Sequence, residues 1–408
     1  MHILFLHQNF PAQFGQIAAY LARNHGFRCT FVSENQVPDS PEIQNVAYGP
    51  YLGSTPESNN YSRTLELQVR QSSAAFAALH RRPELRPNII VAHSGFVSSL
   101  LLRELYPETP QINYFEFFYH KYGSDMDFRL DLPKPSEDDF LRLRYKNAQL
   151  LLDLHNCDAG YSPTEFQRSQ LPVEFQSKVS TIFDGIDTDF WSPSTHSQRA
   201  FGGVTIPDDH KVITYVSRGL EATRGFDIFL RAADQVCRQR NDVSVIVVAE
   251  DRVAYGGDCR FTNGMSFKEW VIDKYKPNLS RIHFVGRLPP SQLSKLLALS
   301  DVHVYLTVPF VLSWSLFNAL SCGALTAASD TAPVRELIRH GETGFLFNFF
   351  DIDGLTELVL RLLSDPSRHQ AIRHAARSLI LSKYDLKVTL PKMLELYREV
   401  SKQAFGLR

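Results

Sequence analysis

Short apolar runs along the chain alternate with segments in which apolar residues recur at the spacing of a helix. In the first half, the runs predict strands at His2–His7, Cys29–Ser33, Asn88–His93, Gln111–Phe115, Cys157–Tyr161 and Val179–Phe183. Val97, Leu100 and Leu101 predict a helix directly after the third of these strands. Strands separated by helices predict a parallel sheet that is covered by helices on both faces.

The same alternation begins again in the second half of the chain. Strands are predicted at Lys211–Ser217, Val243–Ala249, Ile282–Val285, Val302–Leu306 and Leu325–Ser329. Phe226, Phe229, Ala233 and Val236 stand at helical spacing and predict a helix over 226–239. We therefore expect an α/β fold with two parallel sheets.

A stretch rich in Ser, Pro, Gly and Thr at Trp191–Pro207 separates the two halves. It predicts a first domain over residues 1–192 and a second over 193–385, followed by a C-terminal helix over 386–408 that packs back on the first domain. Ligands of open parallel sheets bind beyond the carboxyl ends of the strands, so we expect a ligand site between the halves.

Charge and cysteine content exclude several classes of protein. The 408 residues include 43 basic and 44 acidic side chains, so no net positive charge points to nucleic acid. The five cysteines are scattered and form no C-x-x-C pair, which argues against a disulfide framework and a cysteine zinc site. No apolar run has the length of a membrane span, and the N-terminal run is too short for a signal peptide. We expect a cytoplasmic protein.

Two arginines flank the turn between the first strand and the first helix of the second half. Arg218 follows the predicted strand, and Arg224 precedes Gly225, where the helix begins. A strand-to-helix turn directs the positive end of the helix dipole to the carboxyl edge of the sheet. Guanidinium groups bind phosphate oxygens in bidentate fashion, so the pair predicts a diphosphate site. Two surface arginines at a helix terminus remain the alternative.

A second segment with polar side chains begins at the next predicted buried helix. Ser313 is a predicted N-cap, Trp314 and Ser315 stand in the first turn, and Asn318 follows one turn later. The hydroxyls and the amide would suit a nucleotide sugar. A buried core helix with a capping serine is the alternative.

These segments resemble those of the family 4 retaining glycosyltransferases of the GT-B fold, and the resemblance covers most of the chain. The motifs that carry it are the Arg218–Gly225 loop, VGRLP at Val285–Pro289, SPTEFQRSQLP from Ser162, DGIDTDFW at Asp184–Trp191 and the Cys322–Phe347 tail. HQNFPAQF near the N-terminus, AHSG at 92–95, YFEFFYH at 114–120 and PFVLSWS at 309–315 resemble a bacterial subgroup.

The resemblance implies GT-B architecture, with two Rossmann-like domains whose parallel sheets face each other across a cleft. It implies transfer of a sugar from a nucleoside diphosphate-sugar to an acceptor hydroxyl with retention, in the synthesis of surface polysaccharide or glycoconjugates. The implied acceptor is a saccharide, a lipid-linked sugar or a protein glycan, with peripheral contact at the inner face of the membrane. No cofactor and no metal ion are implied.

The resemblance also assigns roles to individual residues. Arg218, Arg224 and Gly225 would hold the donor diphosphate, and Gly286 and Arg287 would help to seat the nucleotide. The N-terminal loop with Asn9, Phe10 and Gly15 would approach both substrates. The residues expected to orient or deprotonate the acceptor hydroxyl are His93, Glu116 and His120, each with packing as the alternative.

The sequence departs from the family pattern at three positions. Phe310 and Asn318 stand where a pair of glutamates is usual, the first for the donor sugar and the second for the ribose. Glu250 ends a strand where glycine is commoner. These departures leave two alternatives open, a non-catalytic GT-B protein that binds a partner or glycan and a sugar-nucleotide epimerase.

Two further polar segments carry weaker interpretations. Asp125-Met126-Asp127 has the spacing of a metal-binding D-x-D motif, but its polar surroundings favour a solvated loop. HRRPELR at residues 80–86 is basic and favours a solvated helix end over a membrane contact.

Overall fold

The computed structural model describes residues 1–49, 59–194 and 198–405. Residues 195–197 of the predicted linker lie outside the described ranges. Labels run in chain order. The strands are β1 His2–Leu6, β2 Arg28–Ser33, β3 Ile43–Ala47, β4 Ile89–Ser94, β5 Gln111–Phe115, β6 Ala159–Ser162, β7 Val179–Thr181, β8 Ala200–Phe201, β9 Val204–Thr205, β10 Lys211–Gly219, β11 Val243–Glu250, β12 Ile282–Phe284, β13 Val302–Tyr305, β14 Thr326–Ser329 and β15 Phe345–Phe347.

The α-helices alternate with these strands along the chain. They are α1 Gly15–His25, α2 Arg63–His80, α3 Leu102–Leu105, α4 Asp125–Phe128, α5 Glu137–Lys146, α6 Ala148–Asn156, α7 Glu165–Ser169, α8 Val173–Gln176, α9 Phe226–Gln239, α10 Phe267–Tyr275, α11 Pro290–Leu299, α12 Trp314–Ser321, α13 Ala332–Arg335, α14 Ile352–Ser364, α15 Gln370–Lys383 and α16 Leu386–Phe405. Short 3-10 turns stand at Ala222–Arg224, Asp258–Arg260 and Pro366–His369.

The chain divides into two units. The first consists of Met1–Tyr122, Pro135–Gly185 and Lys387–Arg408, and the second of Gly123–Lys134 and Ile186–Leu386. The C-terminal helix therefore belongs with the first unit, where the buried Tyr397 ring lies 6.5 Å from that of Phe5 in β1.

Each unit is built on one parallel sheet with the same kind of strand order. The sheet of the first unit runs β3-β2-β1-β4-β5-β6-β7, and that of the second runs β12-β11-β10-β13-β14-β15. In both sheets the first strand in the chain lies in the interior, and the order reverses beside it. Such a reversal opens a crevice at the carboxyl ends of the two strands, here β1 and β4 in one sheet and β10 and β13 in the other. The predicted α/β fold with two parallel sheets is confirmed.

The predicted strands and helices recur with shifts of a few residues, but one predicted helix is absent, and β3, β15 and the short pair β8 and β9 inside the predicted linker were not predicted. The helix expected from Val97 to Leu101 is replaced by the four-residue α3, because Ser98 Oγ donates to Asp153 Oδ1 (2.5 Å) and Ser99 Oγ donates to Asn113 Oδ1 (3.0 Å). Such side-chain bonds compete with helix formation. The strands β3 and β15 were not predicted, because one is interrupted by polar residues and the other has three residues.

Within the described residues, no helix is both long and apolar enough to cross a membrane.

The core of the second unit supplies a test of this packing. Phe229 of α9 is 1% exposed and stacks on Tyr215 of β10 with 4.5 Å between ring centroids. We expect Phe229→Ala to lower the free energy of unfolding by about 3–5 kcal/mol through lost burial and the cavity left behind.

Urea unfolding followed by tryptophan fluorescence reports on this unit, because Trp191, Trp270 and Trp314 all lie in it. Phe190→Ala is the control, since Phe190 is 43% exposed and should lose little stability. Equal losses in the two variants would contradict the assigned core.

Candidate active site

The crevice of the second sheet contains a loop between β10 and α9 that leaves no room for side chains at its two ends. A Cβ atom on Gly219 would stand 2.3 Å from the Arg252 carbonyl oxygen. Gly225 has φ +59°, and a Cβ there would lie 2.7 Å from Leu306 Cδ2. The loop therefore packs directly on neighbouring backbone and on the end of β13.

Arg224 lies inside this loop and is 3% exposed. Its Nη1 donates to Thr307 Oγ1 at 2.7 Å and to the Val311 carbonyl at 3.0 Å. A guanidinium group has five N–H donors, and Arg224 Nε and Nη2 have no partner among the described residues. The side chain is thus fixed at one nitrogen and keeps donors for a ligand at the other two.

Tyr255 stands between the two arginines and was not predicted from the sequence. Its ring centroid lies 5.2 Å from Arg224 Cζ and 5.9 Å from Arg218 Cζ, and Arg218 Nη1 is 3.4 Å from its hydroxyl. Arg218 itself is exposed at the end of β10. The structure therefore brings both predicted arginines to one aromatic ring that is 40% exposed.

The segment that carries Tyr255 is held by Glu221, a second residue that sequence reasoning missed. Glu221 is fully buried, and its Oε2 accepts hydrogen bonds from the backbone amides of Ala254 (3.0 Å), Tyr255 (2.8 Å) and Gly256 (2.9 Å). A buried carboxylate is stable when several donors satisfy it. An acidic residue in an apolar stretch beside the two arginines was the available signal.

The first turn of α12 matches the prediction for its serines. Ser313 is the N-cap and accepts from the Ser315 amide at 3.3 Å, and Ser315 Oγ donates to the Val216 carbonyl of β10 at 3.1 Å. Trp314 is 43% exposed. Asn318 is 8% exposed, and its Oδ1 has no hydrogen-bond partner among the described residues.

The residues that depart from the family pattern lie around this loop. Phe310 is 5% exposed, with its ring 5.8 Å from Arg224 Cζ and 5.6 Å from the ring of Tyr255. An aromatic ring therefore faces Arg224 at the position where a glutamate was expected. Glu250 is paired with Arg252 at 2.8 Å and is 41% exposed. Gly286 has φ +65° and precedes the exposed Arg287.

The crevice of the first sheet contains a buried histidine pair. His93 is the second-last residue of β4 and is 1% exposed, and His7 follows β1 with 4.9 Å between the two ring centroids. Since a carbonyl can only accept, the 2.9 Å contact of His93 Nδ1 with the Ser94 oxygen places the ring proton on Nδ1. Nε2 is then the acceptor, 3.4 Å from Gln13 Nε2.

The remaining predicted residues of the first unit lie at loops and helix ends. His120 Nε2 donates to the Gln170 carbonyl at 2.8 Å, and the Glu116 carbonyl accepts from Gln167 Nε2 at 2.6 Å. The Asn9 amide donates to His7 Nδ1 at 2.8 Å. The Phe10 ring lies 4.9 Å from that of Phe31, and Gly15 begins α1. The catalytic roles of His93, Glu116 and His120 stay predictions.

The Asp125-Met126-Asp127 segment is a helical turn, α4, and not the solvated loop that we expected. Asp127 accepts from the amides of Ser124 (3.1 Å) and Gly123 (3.0 Å), which forms a capping box. The Asp127 carboxylate therefore serves the helix terminus.

Comparison with known proteins identifies both halves of the chain. Residues 25–191 match the family described as glycosyl transferase family 4 group, and residues 197–379 match the family described as glycosyl transferases group 1. Residues 197–379 thus belong to the group 1 glycosyltransferases, and both matched families are glycosyltransferases. The relatives of this glycosyltransferase are distant, so the family is shown and the substrates are not.

Alpha-maltose-1-phosphate synthase of Mycobacterium tuberculosis is 25% identical over 240 residues, which cover 54% of this chain and 57% of that protein. The chain thus spans about half the length of the curated relatives it matches. Among solved structures, sucrose-phosphate synthase of Thermosynechococcus elongatus has a TM-score of 0.74 at 18% identity, covering 98% of this chain and 99% of that one. The Anabaena protein HepE in complex with UDP and glucose has a TM-score of 0.69 at 15% identity, covering 97% and 99%. These structures share the GT-B fold with this glycosyltransferase.

The buried histidine of the first unit gives a prediction on protonation. Burial lowers the pKa of His93 well below its ordinary value, and the charge of His7 lowers it further. We expect His93 to remain neutral, with its proton on Nδ1, at pH values where a free imidazole is already half protonated. Nitrogen chemical shifts of ¹⁵N-histidine protein, assigned with His93→Asn, would show this tautomer.

The sign of the stability effect follows from the same shift. The unfolded chain takes up the proton near pH 6.5 and the folded chain at lower pH, so this group removes stability as pH falls below about 6.5. A protonation midpoint of His93 between about pH 6 and 7 would contradict the burial assigned here.

Proposed function

We propose that this glycosyltransferase transfers a sugar from a nucleoside diphosphate-sugar to an acceptor hydroxyl with retention of anomeric configuration. The acceptor is a saccharide, a lipid-linked sugar or a protein glycan, and the product belongs to surface polysaccharide or glycoconjugate synthesis. The observation that carries the proposal is the pair Arg218 and Arg224, which flank a strand-to-helix loop at the point where the strand order reverses.

The charge in this loop suits a diphosphate. Arg224 keeps the donors on two of its nitrogens, Arg218 is exposed, and the N-terminus of α9 adds the positive end of a 14-residue helix. Both arginines stay protonated at any working pH. An anionic ligand with several oxygens is therefore the best partner for the site.

The reaction places its main electrostatic demand at this loop. The bond between the anomeric carbon and the diphosphate oxygen breaks, and negative charge develops on the leaving diphosphate while the sugar gains oxocarbenium character. Fixed cations and a helix terminus stabilise that charge in the transition state. The acceptor oxygen then bonds to the anomeric carbon, and its proton passes to the base proposed below. Arg218 and Arg224 supply the required charge, so the proposal requires neither a metal ion nor a cofactor.

Asn318 is proposed to bind the ribose. It lies one turn into α12 and presents a buried amide oxygen without a partner among the described residues. A buried acceptor without a partner costs free energy, and a hydroxyl of the ribose would satisfy it. Asparagine thereby keeps the acceptor that a glutamate provides at this position in the family pattern.

The acceptor hydroxyl is proposed to be oriented by polar groups of the first unit. Neutral His93 presents an acceptor nitrogen toward Gln13, which is half-buried. Because His93 is 1% exposed, its effect on a substrate would pass through Gln13. Glu116 is half-buried directly after β5 and remains the other proposed base.

Removal of one arginine tests the diphosphate site. We expect Arg218→Ala to weaken binding of UDP, GDP or ADP, whichever binds the wild type, by about tenfold or more, since a bond to a charged group contributes about 1.5–3 kcal/mol. Isothermal titration calorimetry measures the affinity, and Arg231→Ala in the middle of α9 is the control. Unchanged affinity in Arg218→Ala would refute the assignment.

A second pair of titrations separates the ribose contact from the diphosphate contact. We expect Asn318→Leu to weaken nucleoside diphosphate binding by about three- to tenfold and to leave binding of inorganic diphosphate unchanged, because the latter has no ribose. Arg218→Ala should weaken the binding of both the nucleoside diphosphate and inorganic diphosphate.

Asn318→Asp keeps an oxygen at the same position and serves as the matched variant. Its nucleoside diphosphate affinity should exceed that of Asn318→Leu. If Asn318→Leu loses the same amount of affinity for both ligands, Asn318 supports the loop that carries Arg224 and does not contact the ribose.

A further inference from the structure

The segment Gly123–Lys134 belongs to the second unit, although the residues on both sides of it belong to the first. It begins with the capped turn α4, and the Phe128 ring lies 5.1 Å from that of Phe349 and 5.2 Å from that of Phe350. Phe349 in turn lies next to Gly225, where a Cβ would approach its Cζ to 3.0 Å. The segment is therefore packed against the loop that carries Arg224.

Arg129 makes the polar contacts of this segment. Its Nη1 donates to the Ala222 carbonyl at 2.7 Å, and Nη1 and Nη2 donate to the two carboxylate oxygens of Asp227 at 3.1 Å and 2.6 Å. Asp131 accepts from Nε and Nη2 at 2.9 Å each. The guanidinium group, whose side chain is 8% exposed, thus ties the 3-10 turn before α9 to the first turn of that helix.

Three buried carboxylates surround the same loop. Glu221, Asp227 and Asp258 are each exposed by 3% or less, and Asp258 Oδ2 accepts from the Ala222 amide at 2.8 Å. Burial, together with the charges of Glu221 and Asp227, raises the pKa of Asp258 to about 6, while the hydrogen bond from the Ala222 amide and the charge of Arg129 oppose the rise. Arg129 is accordingly a compensating cation for acidic groups that would otherwise repel a diphosphate.

We propose that Arg129 is a positioning residue for the donor diphosphate, acting through the Ala222 carbonyl and Asp227 on the loop that presents Arg224. The inference rests on the proposed function, because the proposed function assigns the donor diphosphate to that loop. Arg129 fixes one side of the 3-10 turn while Asp258 fixes the other, so the direction of the following Arg224 is set before any ligand arrives. Preorganised donors bind without the cost of ordering the loop.

A pair of variants separates positioning from general stability. Arg129→Met leaves Asp227 buried without its partner and should lower both the melting temperature and the affinity for UDP, GDP or ADP, the latter by about tenfold or more. The double variant Arg129→Met with Asp227→Asn removes the unpaired charge and should recover most of the melting temperature. The Ala222 carbonyl still lacks its guanidinium donor there, so the affinity should stay about tenfold below that of the wild type.

Hydrogen exchange supplies a readout that needs no ligand. The Gly225 amide donates to the same Ala222 carbonyl at 3.0 Å, and the Phe226 amide donates to the Glu221 carbonyl at 3.3 Å. Both amides should exchange faster in Arg129→Met and in the double variant. Arg240→Met is the matched control, because it removes an arginine–aspartate pair with Asp242 (2.9 Å) at the other end of α9; it should change neither the exchange of these amides nor the affinity.

The outcomes distinguish the two proposals. Affinity that recovers together with the melting temperature in the double variant would overturn the positioning role. If the wild type binds none of the three nucleoside diphosphates, the proposed function fails. Hydrogen exchange at the Gly225 and Phe226 amides still shows whether Arg129 orders the loop. Unchanged exchange in Arg129→Met overturns the inference whatever the wild type binds.

Discussion

The loop from Gly219 to Phe226 is held by hydrogen bonds on several sides before it meets a ligand. Glu221 accepts from three consecutive amides, Asp258 accepts from the backbone N–H of Ala222, Arg129 donates to the Ala222 carbonyl, and the Tyr215 hydroxyl donates to the Arg224 carbonyl at 2.8 Å. Buried backbone groups and carboxylates are tolerated only when such partners exist. The site depends on these bonds, since they fix the direction in which Arg224 leaves the backbone.

The cationic part of the loop is stabilised in a way that differs from the family pattern. Arg224 is buried beside the rings of Tyr255 and Phe310, at 5.2 Å and 5.8 Å, and donates to neutral oxygens from Nη1. Aromatic faces attract a guanidinium group without neutralising it. Arg224 therefore keeps its full charge for an anionic ligand, whereas a glutamate in the place of Phe310 would offset part of it.

Strand order explains why polar side chains lie at equivalent places in the two units, at the carboxyl ends of the central strands. The polar residues at the carboxyl ends of β1 and β4, including His7 and His93, meet at one crevice, and those at the carboxyl ends of β10 and β13 meet at the other. Residues far apart in the chain are brought together because parallel neighbours end at the same edge of a sheet. The group 1 family match covers this crevice of the second unit, where Arg218 stands at the end of β10 and Arg224 in the loop that follows.

The sequence by itself determined the α/β architecture and the place of the arginine loop, because runs of apolar residues and a strand-to-helix turn are local signals. The start of α12 could also be predicted from local sequence, since Ser313 caps a helix whose apolar residues stand at helical spacing. Only the tertiary structure decided the roles of Tyr255, Glu221 and Arg129 at the site. Each of them acts across 30 or more positions of sequence, and side-chain contacts over that range follow from how the strands and loops pack and leave no periodic pattern in the chain.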